Sequence, residues 1–136
     1  MQLEEIQPKG CGEMLVNRKQ IYIVDDDESV RRALKLLLMS YEYQVDTFIS
    51  AEEFFSAVPN SAPGCLILDI HMSGINGWDA QQKLIKKGSN RPVIIISADK
   101  NGGLSERALK AGVVGFLQKP FDDQELVDMV NRVLSN

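Results

Sequence analysis

The sequence predicts an α/β protein with a doubly wound parallel sheet of five strands and five helices. Short continuous apolar runs occur at residues 21–24, 65–68, 93–96 and 113–117. Such runs are typical of strands that helices cover on both faces. Segments with helical apolar spacing alternate with these runs, and right-handed crossovers then place helices on both faces of the sheet.

The first half of the chain contains two strand–helix units. The strand at residues 21–24 precedes a helix that Asp27 can cap, because an Asp side chain accepts hydrogen bonds from the first free N–H groups. Residues 43–48 alternate in polarity and are predicted to form the second strand. Ser50 and Glu53 then have the capping-box spacing, which predicts the start of a short second helix.

The second half follows the same alternation. Gly88 is predicted to terminate the third helix before the strand at 93–96. A fourth helix of weaker propensity is predicted at 104–111, because glycines flank it. Asp122 is predicted to cap the last helix, with Glu125 at the capping-box spacing.

Length and composition are those of one soluble domain. The chain has 136 residues, of which 44% are apolar and 25% charged, and its net charge of -4 argues against direct nucleic-acid binding. Cys11 and Cys65 are far apart, so we expect no disulfide and a reducing compartment. No leader or long apolar segment is visible, which predicts a cytoplasmic protein without membrane association. Residues 1–18 are interpreted as a flexible N-terminal extension and 19–136 as the domain.

Polar side chains of particular kinds lie where four of the predicted strands end. They are Asp25 and Asp26 after the first strand, Asp69 after the third, Ser97 at the end of the fourth and Lys119 after the fifth. The carboxyl ends of parallel strands meet at one edge of the sheet, where such folds bind ligands. The sequence therefore predicts a single acidic site at this edge.

The chemistry of these groups suggests a metal-dependent phosphoryl site. Adjacent carboxylates repel one another unless a cation neutralises them, and Mg²⁺ prefers carboxylate, carbonyl and water ligands. Asp69 could act as a carboxylate nucleophile, while Lys119 and Ser97 contact phosphoryl oxygens. A cis Lys119–Pro120 bond would aim the lysine inward. Taken singly, each residue also fits a helix cap, a turn or a surface lysine; their conjunction favours the site.

Four motifs resemble the receiver domain of two-component response regulators, over about residues 19 to 135. They are Ile-Val-Asp-Asp-Asp at 23–27, Leu-Asp-Ile-His-Met-Ser-Gly at 68–74, Ile-Ser-Ala at 96–98 and Lys-Pro-Phe at 119–121. The segments Val-Asp-Asp-Asp-Glu at 24–28 and Lys-Pro-Phe at 119–121 look like those of the nitrogen-fixation and LuxR-type regulator branch. The resemblance implies a flavodoxin-like sheet with strand order 2-1-3-4-5.

The resemblance also implies roles in metal binding. Asp26 and Asp69 would bind Mg²⁺ directly, Asp25 would act largely through water, and the backbone carbonyl of His71 would supply a further ligand. Asp69 would be the phosphoacceptor. Ser73 stands where members of the family commonly have proline, which removes no catalytic group.

The remaining implied roles concern the phosphoryl group and the switch. Ser97 and Lys119 would bind phosphoryl oxygens, and Ser97 would turn inward on phosphorylation while Phe116 fills the vacated space. Phe116 lacks the hydroxyl of the tyrosine that is frequent at this position. We expect phosphorylation to shift the domain toward a second packing of these side chains, because the phosphoryl group contacts that packing better.

The predicted function is a signalling switch rather than an enzyme. It would take phosphate from a sensor histidine kinase or a phosphotransfer protein. Its output would be a protein partner, or a phosphorylation-dependent dimer, on the face of the fourth helix, fifth strand and last helix. Three alternatives stay open: the receiver part of a transcription regulator, a haloacid-dehalogenase-type phosphatase using the Asp-x-Asp pattern at 25–27, and a receiver that never accepts phosphate.

Overall fold

The computed structural model describes residues 19–70, 77–98 and 112–135. The strands are β1 (Gln20–Val24), β2 (Gln44–Phe48), β3 (Cys65–Asp69), β4 (Val93–Ser97) and β5 (Gly115–Gln118). The helices of these ranges are α1 (Glu28–Ser40), α2 (Ala51–Ala57), α3 (Gly77–Lys86) and α4 (Asp123–Leu134). The helix predicted at 104–111 and the extension at 1–18 lie outside the described residues.

The five strands form one parallel sheet in the order β2-β1-β3-β4-β5, as predicted. The register aligns the carboxyl ends of neighbouring strands. Val24 pairs with Leu68, Asp69 with Ile96, and Ser97 with Gln118. The residues that follow these strands therefore reach the same edge of the sheet.

Two hydrophobic cores cover the two faces of the sheet, since successive strand residues point to opposite sides. All five residues of β3 and of β4 are buried, which explains their continuous apolar runs. The edge strand β2 contains both exposed and buried residues instead. One core packs Phe54 of α2 and Trp78 of α3 on the sheet; the other packs Leu38 of α1 and Leu126 of α4.

Capping hydrogen bonds at the starts of α2 and α4 follow the predicted spacing, with one difference of detail. The Oγ of Ser50 accepts a hydrogen bond from the Glu53 N–H at 3.0 Å, as in a capping box. The Glu53 carboxylate, however, accepts from the N–H of Ile49 at 2.9 Å, one residue earlier than the usual partner. Before α4, the Glu125 carboxylate accepts from the Asp122 N–H at 3.0 Å, as the spacing predicts.

Arg91 joins two loops at the amino end of the sheet, a role that was not predicted from the sequence. Its side chain is 8% exposed. The guanidinium donates to the carbonyl oxygens of Pro59 and Ala62, both at 2.8 Å, and lies over the rings of Tyr22 and Phe54. Burial lowers the pKa of Arg91. The α2–β3 loop is thus fastened to the α3–β4 loop.

Cys65 is a buried free thiol, and burial raises its pKa to about 12. It is therefore protonated and unreactive at neutral pH. Cys11 lies outside the described residues. Within the described ranges, every helix is too short or too polar to cross a membrane.

Candidate functional site at the carboxyl edge of the sheet

Three carboxylates meet at the carboxyl edge of the sheet, as predicted. Asp25, Asp26 and Asp69 each offer an oxygen atom, and these atoms lie within 4.8 Å of one another. Asp25 is 1% exposed and Asp69 6% exposed, whereas Asp26 is exposed. Carboxylates this close repel one another more strongly when they are buried. The cluster is therefore suited to hold a cation.

Asp25 is held at several atoms. Its N–H donates to the carbonyl of Phe48 at 3.2 Å, which extends the pairing of β1 with β2 by one residue. Its Oδ1 accepts from the N–H of Asp27 at 3.0 Å. Its carbonyl oxygen accepts from Nη1 of Arg31 at 2.8 Å. The direction of this carboxylate is thus fixed by β2 and by the start of α1.

Asp27 connects the site to α1. Its carboxylate accepts hydrogen bonds from the N–H groups of Ser29 at 2.9 Å and Val30 at 3.4 Å, which confirms the predicted cap. Hydrogen bonds from Ser29, and then from Val30, lower the pKa of Asp27. Asp27 is therefore engaged in the helix cap, while Asp25 and Asp26 face the acidic cluster.

Lys119 supplies the positive charge of the site. Its Nζ lies 3.3 Å from Oδ2 of Asp25 and 4.0 Å from Oδ2 of Asp69. The Lys119–Pro120 peptide bond is cis, which is the isomer considered in the sequence analysis. The Lys119 N–H also donates to the carbonyl of Ser97 at 2.6 Å, which ties β5 to β4 beside the site. One ammonium group thus bridges two of the three carboxylates.

Ser97 and Phe116 lie on the two strands next to the acidic cluster. Ser97 is fully buried and directly follows Ile96, the register partner of Asp69. Phe116 is half-buried, pairs with Ile95 in the register, and packs against the core that includes Trp78. A conformational change at Ser97 can therefore be transmitted to β5, because the backbones of β4 and β5 are paired directly.

The arrangement fits Mg²⁺. Oxygen ligands of an octahedral Mg²⁺ ion lie at most about 4.2 Å apart, twice the usual Mg–O distance. The three carboxylate oxygens lie within 4.8 Å of one another, which is close to this limit. The cluster also carries more carboxylates than ammonium groups, and a divalent cation balances this excess. The predicted ligand at His71, and Ser73 beside it, lie outside the described residues.

Arg31 is the residue of this site that the sequence analysis missed. It lies in the first turns of α1, six residues after the carbonyl that it contacts. A backbone carbonyl has no sequence signature, so the contact was not predictable from residue types. The only available signal was an arginine one helical turn after an N-cap residue, and that pattern is common on helix surfaces.

Comparison with known proteins assigns this chain to a family. A family model of the response regulator receiver domain matches residues 21–131. The chain belongs to the response regulator receiver domain family. It is 39% identical over 119 residues to the transcriptional regulatory protein TdiR of Thauera aromatica. This match covers 88% of this chain and 52% of TdiR. It is 41% identical over 125 residues to the response regulator protein TodT of Pseudomonas putida, with 92% and 55% covered.

Solved structures agree with this assignment. The crystal structure of FixJ-N matches with a TM-score of 0.79 and 31% identity, and covers 86% of this chain and 94% of that one. This match confirms the predicted resemblance to the nitrogen-fixation branch. The chain spans about half the length of the curated relatives that it matches.

Proposed function

We propose that the protein is a phosphorylation-dependent switch in which Asp69 accepts a phosphoryl group from a histidine kinase or a phosphotransfer protein. The observation that carries this proposal is the acidic cluster bridged by Lys119, at the carboxyl edge of a receiver-type sheet. The oxygen of Asp69 bonds to phosphorus as the P–N bond of the donor's phosphohistidine breaks. The imidazole leaves with the bonding electrons.

The proposed Mg²⁺ site consists of Asp26, Asp69 and the His71 backbone carbonyl, with Asp25 acting through water. Bound Mg²⁺ would shield the negative charge that the phosphoryl group brings to this cluster. Lys119 is placed to exchange its carboxylate contacts for a phosphoryl oxygen, as a compact point charge does readily. Ser97 donates its hydroxyl to another phosphoryl oxygen.

The proposed switch lies in β4 and β5. Ser97 turns toward the phosphoryl group, and Phe116 moves into the vacated space because it already packs at the edge of the core. The shift in population changes the surface of β5 and α4, to which the helix predicted at 104–111 would belong. A protein partner, or a second copy of the chain, would recognise that surface in the cytoplasm. On this account the protein signals rather than turning over a small substrate.

A second candidate is the receiver part of a transcription regulator. The chain matches about half of TdiR, whose name describes a transcriptional regulatory protein. In this case the phosphorylated surface would act on an attached DNA-binding domain instead of a separate partner. The match begins at residue 21, which supports assigning 1–18 to an extension and 19–136 to the receiver. A reading frame that continues beyond Asn136 would favour this candidate.

The test is phosphorylation by a small phosphodonor. We expect intact-mass spectrometry to detect one added phosphoryl group after incubation with acetyl phosphate and Mg²⁺, and none when EDTA replaces Mg²⁺. Asp69→Asn keeps the shape of the side chain but should abolish the addition. Asp128→Asn is a matched control, because Asp128 is exposed on α4, where it accepts from Gln124.

Other outcomes would decide between the alternatives. No addition at any Mg²⁺ concentration would indicate a receiver that never accepts phosphate. Repeated turnover of phosphomonoesters would favour the phosphatase, with its nucleophile within the Asp-x-Asp pattern at 25–27.

A further inference from the structure

We infer that Arg31 is a positioning residue that orients the metal-binding carboxylates through the main chain of Asp25. The inference rests on the proposed Mg²⁺ site and adds a residue to it. Arg31 touches neither the metal position nor the phosphoacceptor in this account. It would act by holding the peptide unit that joins Asp25 to Asp26.

The contact between Arg31 and this peptide unit is short and charge-assisted. Nη1 of Arg31 donates to the carbonyl oxygen of Asp25 at 2.8 Å, and the Arg31 side chain is half-buried. The backbone of Arg31 is itself fixed, because its N–H donates to the Asp27 carbonyl at 3.0 Å in the first turn of α1. Hydrogen bonds from a charged donor are stronger than those between neutral groups. The guanidinium is thus a firm anchor for the carbonyl.

The position of Asp26 depends on this anchor. Asp25 is tied by its N–H, by both carboxylate oxygens and by its carbonyl, so its place is set from several directions. Asp26 comes after the end of β1 and is exposed. The plane of the 25–26 peptide unit therefore influences the direction in which the Asp26 side chain points. Without Arg31, the Asp25 carbonyl would rotate toward another donor and carry Asp26 with it.

Two effects of Arg31 on Mg²⁺ binding have opposite signs, which makes the inference testable. The positive charge of Arg31 by itself repels a metal ion, so removing only that charge would tighten Mg²⁺ binding. Removing the orientation of the ligands would weaken it. Outer partners that orient metal ligands typically contribute about tenfold to metal affinity or more. We therefore expect the orienting effect to exceed the repulsion.

Arg32 provides a matched control for Arg31. It is the next residue of the same helix and carries the same charge. Its Nη2 lies 3.0 Å from Oε2 of Glu28, and both side chains are more than 70% exposed. Exposed ion pairs of this kind contribute little to the stability of a protein. Arg32→Ala removes the same charge from α1 without touching the Asp25 carbonyl.

The experiment is a Mg²⁺ titration of the whole chain, followed by backbone amide NMR shifts. We expect Arg31→Ala to weaken Mg²⁺ binding about tenfold, and Arg32→Ala to change it by less than about twofold. Arg31→Lys keeps a charged donor and should bind within about threefold of the original protein. In the metal-free protein, the amide signals of residues 25–27 should move in Arg31→Ala and remain in place in Arg32→Ala.

Unchanged or tighter Mg²⁺ binding by a folded Arg31→Ala protein would overturn the inference. If that variant does not fold, Arg31→Lys and Arg31→Gln decide: the inference requires weaker binding by the glutamine variant, and equal or tighter binding overturns it. The titration of the unmodified protein separates the two proposals. Saturable shifts with no effect of Arg31 would refute only the positioning role, whereas absence of saturable shifts would refute the proposed metal site and the positioning role together.

Discussion

At the scale of single residues, Asp25 shows how a carboxylate is kept in a nearly closed site. It is 1% exposed, yet its N–H, its carbonyl and both carboxylate oxygens each have a partner in the described part of the chain. Burial of a charge is unfavourable unless it is paired and hydrogen-bonded. Lys119 meets the first requirement and Asp27 the second.

Arg91 is the second residue whose contacts exceed what its type suggests. Replacing it by alanine would remove the guanidinium hydrogen bonds to the carbonyls of Pro59 and Ala62, although the Pro59 carbonyl would still accept from the Ala62 N–H. It would also remove the contacts with two aromatic rings. We predict that Arg91→Ala lowers the free energy of unfolding by about 3 kcal/mol. Urea denaturation measured at neutral pH checks this. Arg32→Ala, the exposed control, should lower it by less than about 0.5 kcal/mol.

Equal effects of the two arginine replacements would contradict the structural role of Arg91. Arg91→Lys refines the comparison, because lysine lacks the planar fork that contacts two carbonyls at once. Its stability should fall between that of the original protein and that of Arg91→Ala.

At the scale of elements, the sequence predicted the strands best where both faces are buried. The runs at 65–68 and 93–96 were assigned within one residue, since a buried strand must be apolar throughout. The run at 113–117 was placed two residues early. Val114 is 54% exposed and precedes β5, whose pairing begins at Gly115 opposite Ile94. An apolar residue need not be buried or lie within the paired strand, so hydropathy alone does not locate the first register pair of β5.

The loop before β3 approaches β1 closely at Gly64. A Cβ atom on Gly64 would lie 2.8 Å from the Gln20 carbonyl oxygen and 2.9 Å from the Tyr22 ring, and the φ angle of Gly64 is +130°. We predict that Gly64→Ala lowers the free energy of unfolding by about 3 kcal/mol, from the clash and backbone strain together. Thermal or urea unfolding measures the loss.

Gly88 is the matched control for Gly64. Its φ angle is +74°, but a Cβ atom there would meet nothing within 4 Å. Gly88→Ala should therefore lower stability by only about 1 kcal/mol, from backbone strain alone. A Gly88 effect as large as that of Gly64 would show that packing against β1 is not what requires glycine at position 64.

At the scale of the whole molecule, the site is assembled from the ends of β1, β3, β4 and β5, and no local segment contains it. This is why it could be predicted: parallel topology brings strand ends together, and Asp, Ser and Lys at those ends are visible in the sequence. The supporting contacts were not visible. Arg31 and Arg91 both donate to backbone carbonyls, and every residue carries such a carbonyl.

Coupling between metal binding and folding gives a whole-molecule prediction. A ligand that binds only the folded state stabilises it, by about 2.7 kcal/mol at one hundred times its dissociation constant. We predict that saturating Mg²⁺ raises the unfolding midpoint relative to EDTA. Asp26→Asn should lose most of this increase, and Asp128→Asn, whose side chain is exposed on α4, should keep it. An equal Mg²⁺ effect in both variants would place the metal elsewhere.

Phosphorylation of Asp69 is tested most directly by locating the phosphoryl group in the chain. The protein is phosphorylated with acetyl phosphate and Mg²⁺, the acyl phosphate is reduced with borohydride to a stable alcohol, and peptides are sequenced by mass spectrometry. We expect that the aspartate at position 69 alone is converted to homoserine, and only when Mg²⁺ was present. Conversion at Asp25, Asp26 or Asp27, with Asp69 unmodified, would contradict it.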